Sequence, residues 1–124
     1  MKVPEMPQSD YMARRGEIYF VDWSPSRGSE QTGTRPAIII QNDVGNQLSP
    51  TTIVAAISAQ QRRPYPFHVA ISALESSLLR DSIVKCEQIQ TVDQARLGRL
   101  VGSLSEEKMD EVDLALHRSL GLER

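Results

Sequence analysis

The chain has 124 residues, of which 40% are hydrophobic and 24% charged; these values are typical of one soluble globular domain and exclude a disordered chain. Its apolar runs are too short to cross a bilayer, and the lone cysteine, Cys86, excludes an intramolecular disulfide and favours a reducing cytoplasm. The formal net charge is −2, but residues 101–124 hold six acids and three bases, so residues 1–100 carry a slight positive excess.

The N-terminal half alternates predicted strands with polar loops. Residues 1–13 contain two prolines and no periodicity, which predicts a mobile arm. Glu17–Trp23 is rich in aromatic and β-branched residues and predicts a strand. The polar segment Ser24–Thr34 predicts a long loop of the kind that is more often functional than idle. Pro36 then suits the first position of a buried strand predicted at Ala37–Asn42.

The middle of the chain predicts three more strands. Turn signals within Asn42–Thr51 predict a second loop. The predicted strands are Thr52–Ser58, His68–Ser72 and Ser82–Gln90, and Ala59–Pro66 is a polar, hairpin-like connection. Short helical turns are predicted around Leu74, Leu78 and Leu79 and at Gln94–Arg99.

The C-terminal segment Ser105–Leu120 predicts an amphipathic helix. Ser105 is its predicted N-cap, and Gly121 lies where a C-cap is expected. Its predicted apolar face consists of Met109, Val112, Leu116 and Leu120. Several strands followed by one helix favour a mainly β protein, a small antiparallel sheet or barrel with the helix packed on it.

Four groups of polar residues stand at strand ends or in loops, where chemistry is often placed. They are Gly28–Gln31, Arg35, Ser58–Gln60 and Glu87–Gln90. Pro36 restricts Arg35 to extended backbone conformations, so the chain itself aims the Arg35 side chain. Each group also has an ordinary interpretation: solvated loop residues, a surface salt bridge, a strand-end hydroxyl, or the solvent face of a strand.

The cysteine and the two histidines favour structural roles. Cys86 is more typical of a small core residue than of a nucleophile. His68 begins a strand, and His117 lies near the C-terminal end of the helix, where it complements the dipole. Clustered arginines at Arg14–Arg15 and Arg62–Arg63 either form a basic patch or are scattered solubilising charge.

An ordered series of motifs over residues 14–122 strongly resembles the MazF/PemK toxin family. The series begins with Arg15–Tyr19, Ser24-Pro25, Gly28–Gln31 and Gly33–Pro36. It continues through Ile40–Asp43, Gly45-Asn46, Ser49–Thr51, Ile53–Ile57, Glu87–Ile89 and Met109–Asp113. The resemblance covers nearly everything except the N-terminal arm.

The resemblance implies an endoribonuclease toxin that needs neither a ribosome nor a metal or other cofactor. The implied fold is a bent antiparallel barrel similar to the src-homology-3 type, with a C-terminal helix, in one domain over residues 14–122. The implied assembly is a homodimer whose interface groove holds single-stranded mRNA, or an extended acidic segment of a MazE-like antitoxin. The implied products carry a 2′,3′-cyclic phosphate and a 5′-hydroxyl.

The same resemblance assigns roles to individual residues. The family's catalytic arginine falls on Arg35, and its catalytic hydroxyl, usually a threonine, falls on Ser58. Chemistry adds Glu30 as a candidate general base, because a carboxylate accepts a proton that arginine cannot. The residues Ser29, Gln31, Gln60 and Gln88 match positions on or near the family's RNA-binding surface.

Two other readings stay open from the sequence. The related toxin CcdB has a similar fold but binds DNA gyrase and cuts nothing. A catalytically degenerate RNA-binding module is the other reading, with Ser58 marking lost activity. The Gly-Ser-Glu-Gln loop and the Arg-Pro motif favour the nuclease.

Overall fold

The computed structural model describes residues 12–23, 28, 33–60 and 64–122. Six strands form one antiparallel sheet in the order β4-β5-β3-β2-β1-β6. The strands are β1 (Glu17–Asp22), β2 (Thr34–Ile39), β3 (Thr51–Ala59), β4 (His68–Ile71), β5 (Ser82–Asp93) and β6 (Leu100–Ser103). The helices are α1 (Asp43–Leu48), α2 (Ala73–Ser76) and α3 (Glu106–Leu120), with a 3₁₀ turn at Gln94–Arg96. The fold is mainly β, as the sequence predicts, because six strands form its sheet.

None of the described helices has the length and hydrophobicity that a membrane span requires.

Two hydrophobic clusters lie on opposite faces of the sheet, because successive side chains of a strand alternate between its faces. The helix face packs Ile18, Ile38, Ile57, Val84 and Cys86 against Met109 and Val112 of α3. The second face gathers Tyr19, Val21, Trp23, Ala37, Val54 and Ala56. Every central strand contributes to both clusters, so the strand registers are fixed by burial on both sides.

Helix α3 confirms the predicted caps and corrects the predicted apolar face. Ser105 Oγ accepts a hydrogen bond from the Lys108 N–H, and Gly121 has the left-handed φ of 69° that ends the helix. Met109 and Val112 are buried and Leu116 is half-buried, but Leu120 is 56% exposed. Ala115 is buried in the third turn. The prediction for Leu120 was wrong because the contact ends before the last turn.

Two elements were missed by sequence reasoning. The predicted loop Asn42–Thr51 contains α1, whose N-cap Asn42 accepts a hydrogen bond from the Gly45 N–H through its side chain. Gly45-Asn46 is part of this helix and not of a turn. The second element, β6, pairs with β1 at the edge of the sheet; four residues with a central glycine give too weak a pattern to predict.

Strand β2 begins at Thr34, three residues earlier than predicted, with Pro36 as its third residue. Pro36 pairs with Phe20 of β1, whereas pairing of β2 with β3 starts only at Ala37. The backbone N–H groups of a strand point alternately to its two neighbours, and the Trp23 N–H donates to the Gly33 carbonyl. In this register the Pro36 nitrogen points away from β1 and toward β3, which pairs with β2 only from Ala37 onward. A proline is tolerated there because no ladder hydrogen bond is lost.

The predicted arm, residues 1–13, lies mostly outside the described residues. Its last residue, Ala13, is buried on the second face, and the Ala13 N–H donates to Gln94 Oε1 at 3.1 Å. Gln94 Nε2 in turn donates to the Asn46 and Ser49 carbonyls at 2.8 and 3.0 Å. One buried side chain thus ties the start of the domain to the end of α1 and to the 3₁₀ turn.

We expect Gln94→Met to destabilise the fold by about 2–4 kcal/mol, because a side chain of similar size leaves buried donors and acceptors unpaired. Urea unfolding of the purified protein measures the change. Gln90→Met is the matched control, since Gln90 is exposed on β5, and its effect should stay within about 0.5 kcal/mol. Equal stabilities of the two variants would contradict the role given to Gln94.

Candidate active site

The sheet register brings Arg35 and Ser58 to opposing positions on neighbouring strands. The last pair of β2 and β3 at this end is Ala37 with Ala56. Continuing that antiparallel register by two residues sets Arg35 opposite Ser58. Residues two apart on a strand share a face, so both side chains belong to the second face, as Ala37 and Ala56 do.

Two hydrogen-bonding groups near this position are buried without a partner. Ser58 Oγ and Trp23 Nε1 are buried and have no hydrogen-bond partner within the described part of the chain. Arg35 pairs with Val21, and Trp23 is the next second-face residue after Val21. Buried polar atoms in native proteins are nearly always paired, so unpaired donors around an exposed guanidinium indicate a site that binds an anion or another acceptor-rich group.

A further cation, Lys85, lies on the same face and was not singled out from the sequence. It pairs with Ala56 of β3 and with His68 of β4. Its neighbours Val84 and Cys86 belong to the helix face, so alternation sets Lys85 on the second face. A single lysine in a strand usually marks a solvated face, and only the register shows that it neighbours Ser58.

The remaining predicted site residues are only partly described. Gln60 is exposed just after β3, and its backbone N–H donates to the Asp81 carbonyl. Gln88 is half-buried on β5, where the register with β3 shifts between the Ala55–Ile89 and Ala56–Lys85 pairs. Ser29, Glu30 and Gln31 lie outside the described residues, so their assignments stay predictions.

His68 has both ring nitrogens occupied. Nδ1 accepts a hydrogen bond from the Tyr65 N–H at 3.1 Å, and Nε2 lies 3.0 Å from Glu87 Oε2. A backbone N–H only donates, so Nδ1 is the acceptor and the Nε2–H of the ring donates a hydrogen bond to the Glu87 carboxylate. This arrangement fixes the segment before β4 and supports the structural role predicted for His68. His117 is exposed near the end of α3.

Of the two predicted arginine clusters, only Arg14–Arg15 is described. Arg15 Nη2 pairs with Asp113 of α3, and Arg15 Nε donates to the Ile40 carbonyl. These contacts join α3 to the end of β2, which gives Arg15 a structural role. Arg62–Arg63 lie outside the described residues. Across the described ranges no group of three or more His, Cys, Asp or Glu residues could hold a metal ion.

Comparisons with known proteins agree on one family. Residues 14–120 match the family model of the PemK-like, MazF-like toxins of type II toxin–antitoxin systems. The chain is 51% identical over 112 residues to "Endoribonuclease EndoA" of Bacillus subtilis (strain 168), covering 90% of this chain and 97% of that protein.

Solved structures agree on the fold. A mycobacterial "endoribonuclease in complex with its cognate antitoxin" superposes with a TM-score of 0.76 at 24% identity, covering 90% of this chain and 98% of that one. MazF from Deinococcus radiodurans gives a TM-score of 0.76 at 22% identity, over 90% of this chain and 99% of that one. The bent six-stranded sheet with a C-terminal helix is therefore the MazF fold.

Cys86 is confirmed as a core residue on the helix face directly beside Lys85. Burial, with a smaller contribution from the Glu87 charge, raises the pKa of the Cys86 thiol to about 12. We therefore expect Cys86 to resist a disulfide reagent such as DTNB at pH 8, where the thiolate fraction is on the order of 10⁻⁴.

The measurement is the absorbance of the released thionitrobenzoate, with the protein denatured in guanidinium chloride as control. The unfolded chain should release one equivalent rapidly, because its only cysteine then has an ordinary pKa. Equally fast reaction of the folded protein would show that Cys86 is not buried as described.

Proposed function

This chain belongs to the PemK-like, MazF-like family of type II toxins, and we propose that it is an endoribonuclease that cuts single-stranded mRNA at specific sequences, independently of the ribosome. Its 51% identity to an endoribonuclease over nearly that protein's whole length supports the activity. The observation that supports the site assignment is the β2–β3 register. Continued by two residues beyond the Ala37–Ala56 pair, it sets Arg35 opposite Ser58, whose buried hydroxyl has no hydrogen-bond partner within the described part of the chain.

The proposed reaction is transesterification within the RNA strand. The ribose 2′-oxygen forms a bond to the adjacent phosphorus as its proton passes to a general base. The bond from phosphorus to the 5′-oxygen then breaks, and that oxygen takes up a proton. The products are a 2′,3′-cyclic phosphate and a 5′-hydroxyl, and no redox or metal step enters this balance.

Arg35 and Ser58 are suited to the charge that develops during this reaction. The pentavalent phosphorane carries more negative charge on its oxygens than the starting diester. A guanidinium stays protonated, and its fork matches two phosphate oxygens. The Ser58 hydroxyl is held by β3 and has no partner among the described residues, so it donates to the same oxygens without first breaking a hydrogen bond to those residues. Glu30 is the general base in this proposal, because its carboxylate accepts the 2′-hydroxyl proton.

Base recognition and assembly complete the proposal. Single-stranded bases are read when they are splayed out against amide and backbone groups, and the amides of Gln31, Gln60 and Gln88, with the Ser29 hydroxyl, are the candidates. We propose one catalytic domain over residues 14–122 that acts as a cytoplasmic homodimer. A MazE-like antitoxin would occupy the RNA-binding groove at the dimer interface with an extended acidic segment, whose carboxylates replace the phosphates beside Arg35.

Incubation of the purified protein with a long mixed-sequence RNA in EDTA tests the proposal. Discrete fragments with cyclic phosphate ends support it, and sequencing their 5′ ends gives the recognition sequence. Binding without cutting would indicate an RNA-binding module, and intact RNA with inhibited DNA gyrase would indicate the CcdB-like function.

Arg35→Ala should lower kcat/KM for RNA cleavage by about 10²-fold or more, because a main contact to the transition state is lost. Arg35→Lys keeps the positive charge but loses the forked guanidinium, so its kcat/KM should lie between those of the unmodified protein and Arg35→Ala. Arg14→Ala removes an exposed charge that precedes β1 and should leave the rate unchanged. Cleavage by Arg35→Ala within about threefold of the unmodified protein would refute the charge-stabilisation mechanism.

Ser58→Ala and Ser58→Thr separate chemistry from stability. Ser58→Ala should lower kcat by about 10²-fold while leaving the melting temperature unchanged or raised, because it removes a buried hydroxyl that has no partner in the described structure. Ser58→Thr keeps the hydroxyl and should retain the activity. The measurements are single-turnover cleavage and thermal unfolding; a destabilised Ser58→Ala would mean that the hydroxyl serves the fold.

A further inference from the structure

Lys85 stands one diagonal step from Ser58 on the second face of the sheet. Ser58 pairs with Ile83 of β5, and Lys85 is the next second-face residue of that strand. Diagonal neighbours on adjacent strands lie about 7–8 Å apart, within reach of a long side chain. The four-carbon stem of Lys85 is therefore long enough to reach from its own strand to the surface around Ser58.

The Lys85 ammonium has no partner of its own among the described residues: neither a hydrogen bond nor an ion pair involves it. The acid two residues further along β5, Glu87, is held by His68, whose Nε2 lies 3.1 and 3.0 Å from its two carboxylate oxygens. Of the two residues that face Lys85, Ala56 is apolar and His68 already has both ring nitrogens engaged. A half-buried ammonium whose polar neighbours His68 and Glu87 are engaged with each other is available to donate a hydrogen bond to an external anion.

We propose that Lys85 is a positioning residue that binds an RNA phosphate adjacent to the scissile one. This inference rests on the proposed function, in which Arg35 and Ser58 hold the scissile phosphate. Lys85 lies across Ser58 from Arg35, with the strand order β5-β3-β2. An RNA strand crossing these three strands meets Lys85, Ser58 and Arg35 in turn, so Lys85 fixes the direction and register of the RNA over the reacting group.

A contact to a neighbouring phosphate predicts a specific kinetic signature. The charge of that phosphate does not change during the reaction, so the contact is equally strong in the ground state and in the transition state. Removing it should therefore raise KM and leave kcat unchanged. A charge-assisted hydrogen bond on a partly exposed surface accounts for about a fivefold to tenfold effect on KM.

The first experiment compares Lys85→Gln and Lys85→Arg with Arg14→Gln as a control that also removes one exposed positive charge. We expect Lys85→Gln to raise KM about fivefold to tenfold with unchanged kcat, and to reduce the salt slope of binding by about 0.7. Lys85→Arg should restore both values, whereas Arg14→Gln should change neither. An unchanged KM for Lys85→Gln, or a lowered kcat, would overturn the proposal.

The second experiment identifies the phosphate. RNAs carrying one neutral methylphosphonate on the 5′ or the 3′ side of the scissile position are cleaved by the unmodified protein and by Lys85→Gln. One of the two methylphosphonates should raise KM for the unmodified protein but not raise the KM of Lys85→Gln any further. If the KM effect of the methylphosphonate adds to that of Lys85→Gln at both positions, Lys85 contacts neither phosphate.

Two other outcomes separate this inference from the function on which it rests. Failure of the unmodified protein to cut any RNA in EDTA would defeat the proposed function itself. Normal cleavage by the unmodified protein, with a changed sedimentation mass for Lys85→Gln and an unchanged KM, would assign Lys85 to a subunit contact and overturn the RNA contact alone.

Discussion

The alignment of β2 with β3 is the constraint on which the rest of the molecule depends. Three residue pairs join the two strands, from Ala37–Ala56 to Ile39–Val54, and the Ile40 N–H donates to the Ile53 carbonyl just beyond them. Each of the three pairs is buried on one face or the other. A slip of one residue would turn Ala37 and Ile39 toward α3 and Ile38 away from it, and would move Arg35 to the face opposite Ser58. Core packing and site geometry are thus set by the same few pairs.

Pro36 adds a second constraint at the point where this pairing ends. It contributes no N–H to a ladder on the β3 side, and it holds Arg35 in an extended conformation. The first three residues of β2, Thr34–Pro36, thereby stay paired to β1 alone, and Ser58 of β3 has no backbone partner from β2. The Ser58 end of β3 is therefore open on the β2 side, and the Ser58 hydroxyl there has no hydrogen-bond partner within the described part of the chain.

Two buried donors that have no partner among the described residues, Ser58 Oγ and Trp23 Nε1, lower the stability of the fold. A buried hydroxyl or indole N–H without a partner costs about 1–3 kcal/mol. The two faces of the sheet, closed by α3 on one side, offset this cost through buried apolar area. A donor that is held unpaired before the substrate arrives needs no reorganisation when charge develops, which is the physical reason for the catalytic role proposed for Ser58.

Sequence reasoning recovered the parts of this molecule that depend on local pattern. Strands such as Glu17–Trp23 and the caps of α3 follow from β-branched runs and from single residues with known preferences. It missed α1 because Gly45-Asn46 is ambiguous in isolation, and the buried contacts of Asn46 with Gln41 and Thr52 form only in the folded chain. Arg35 and Ser58 were assigned by family resemblance, whereas their opposition follows from the register.

Lys85 shows most clearly why charge counts alone do not locate a binding surface. The chain is acidic overall, at a net charge of −2, and Lys85 lies outside the sequence motifs that pointed to the other site residues. Folding pairs Arg15 with Asp113 and brings His68 Nε2 to the Glu87 carboxylate, so these groups already have partners within the fold. In the proposed function, what an RNA strand meets at the second face is set by the positions of Arg35 and Lys85, and these positions are a property of strand pairing.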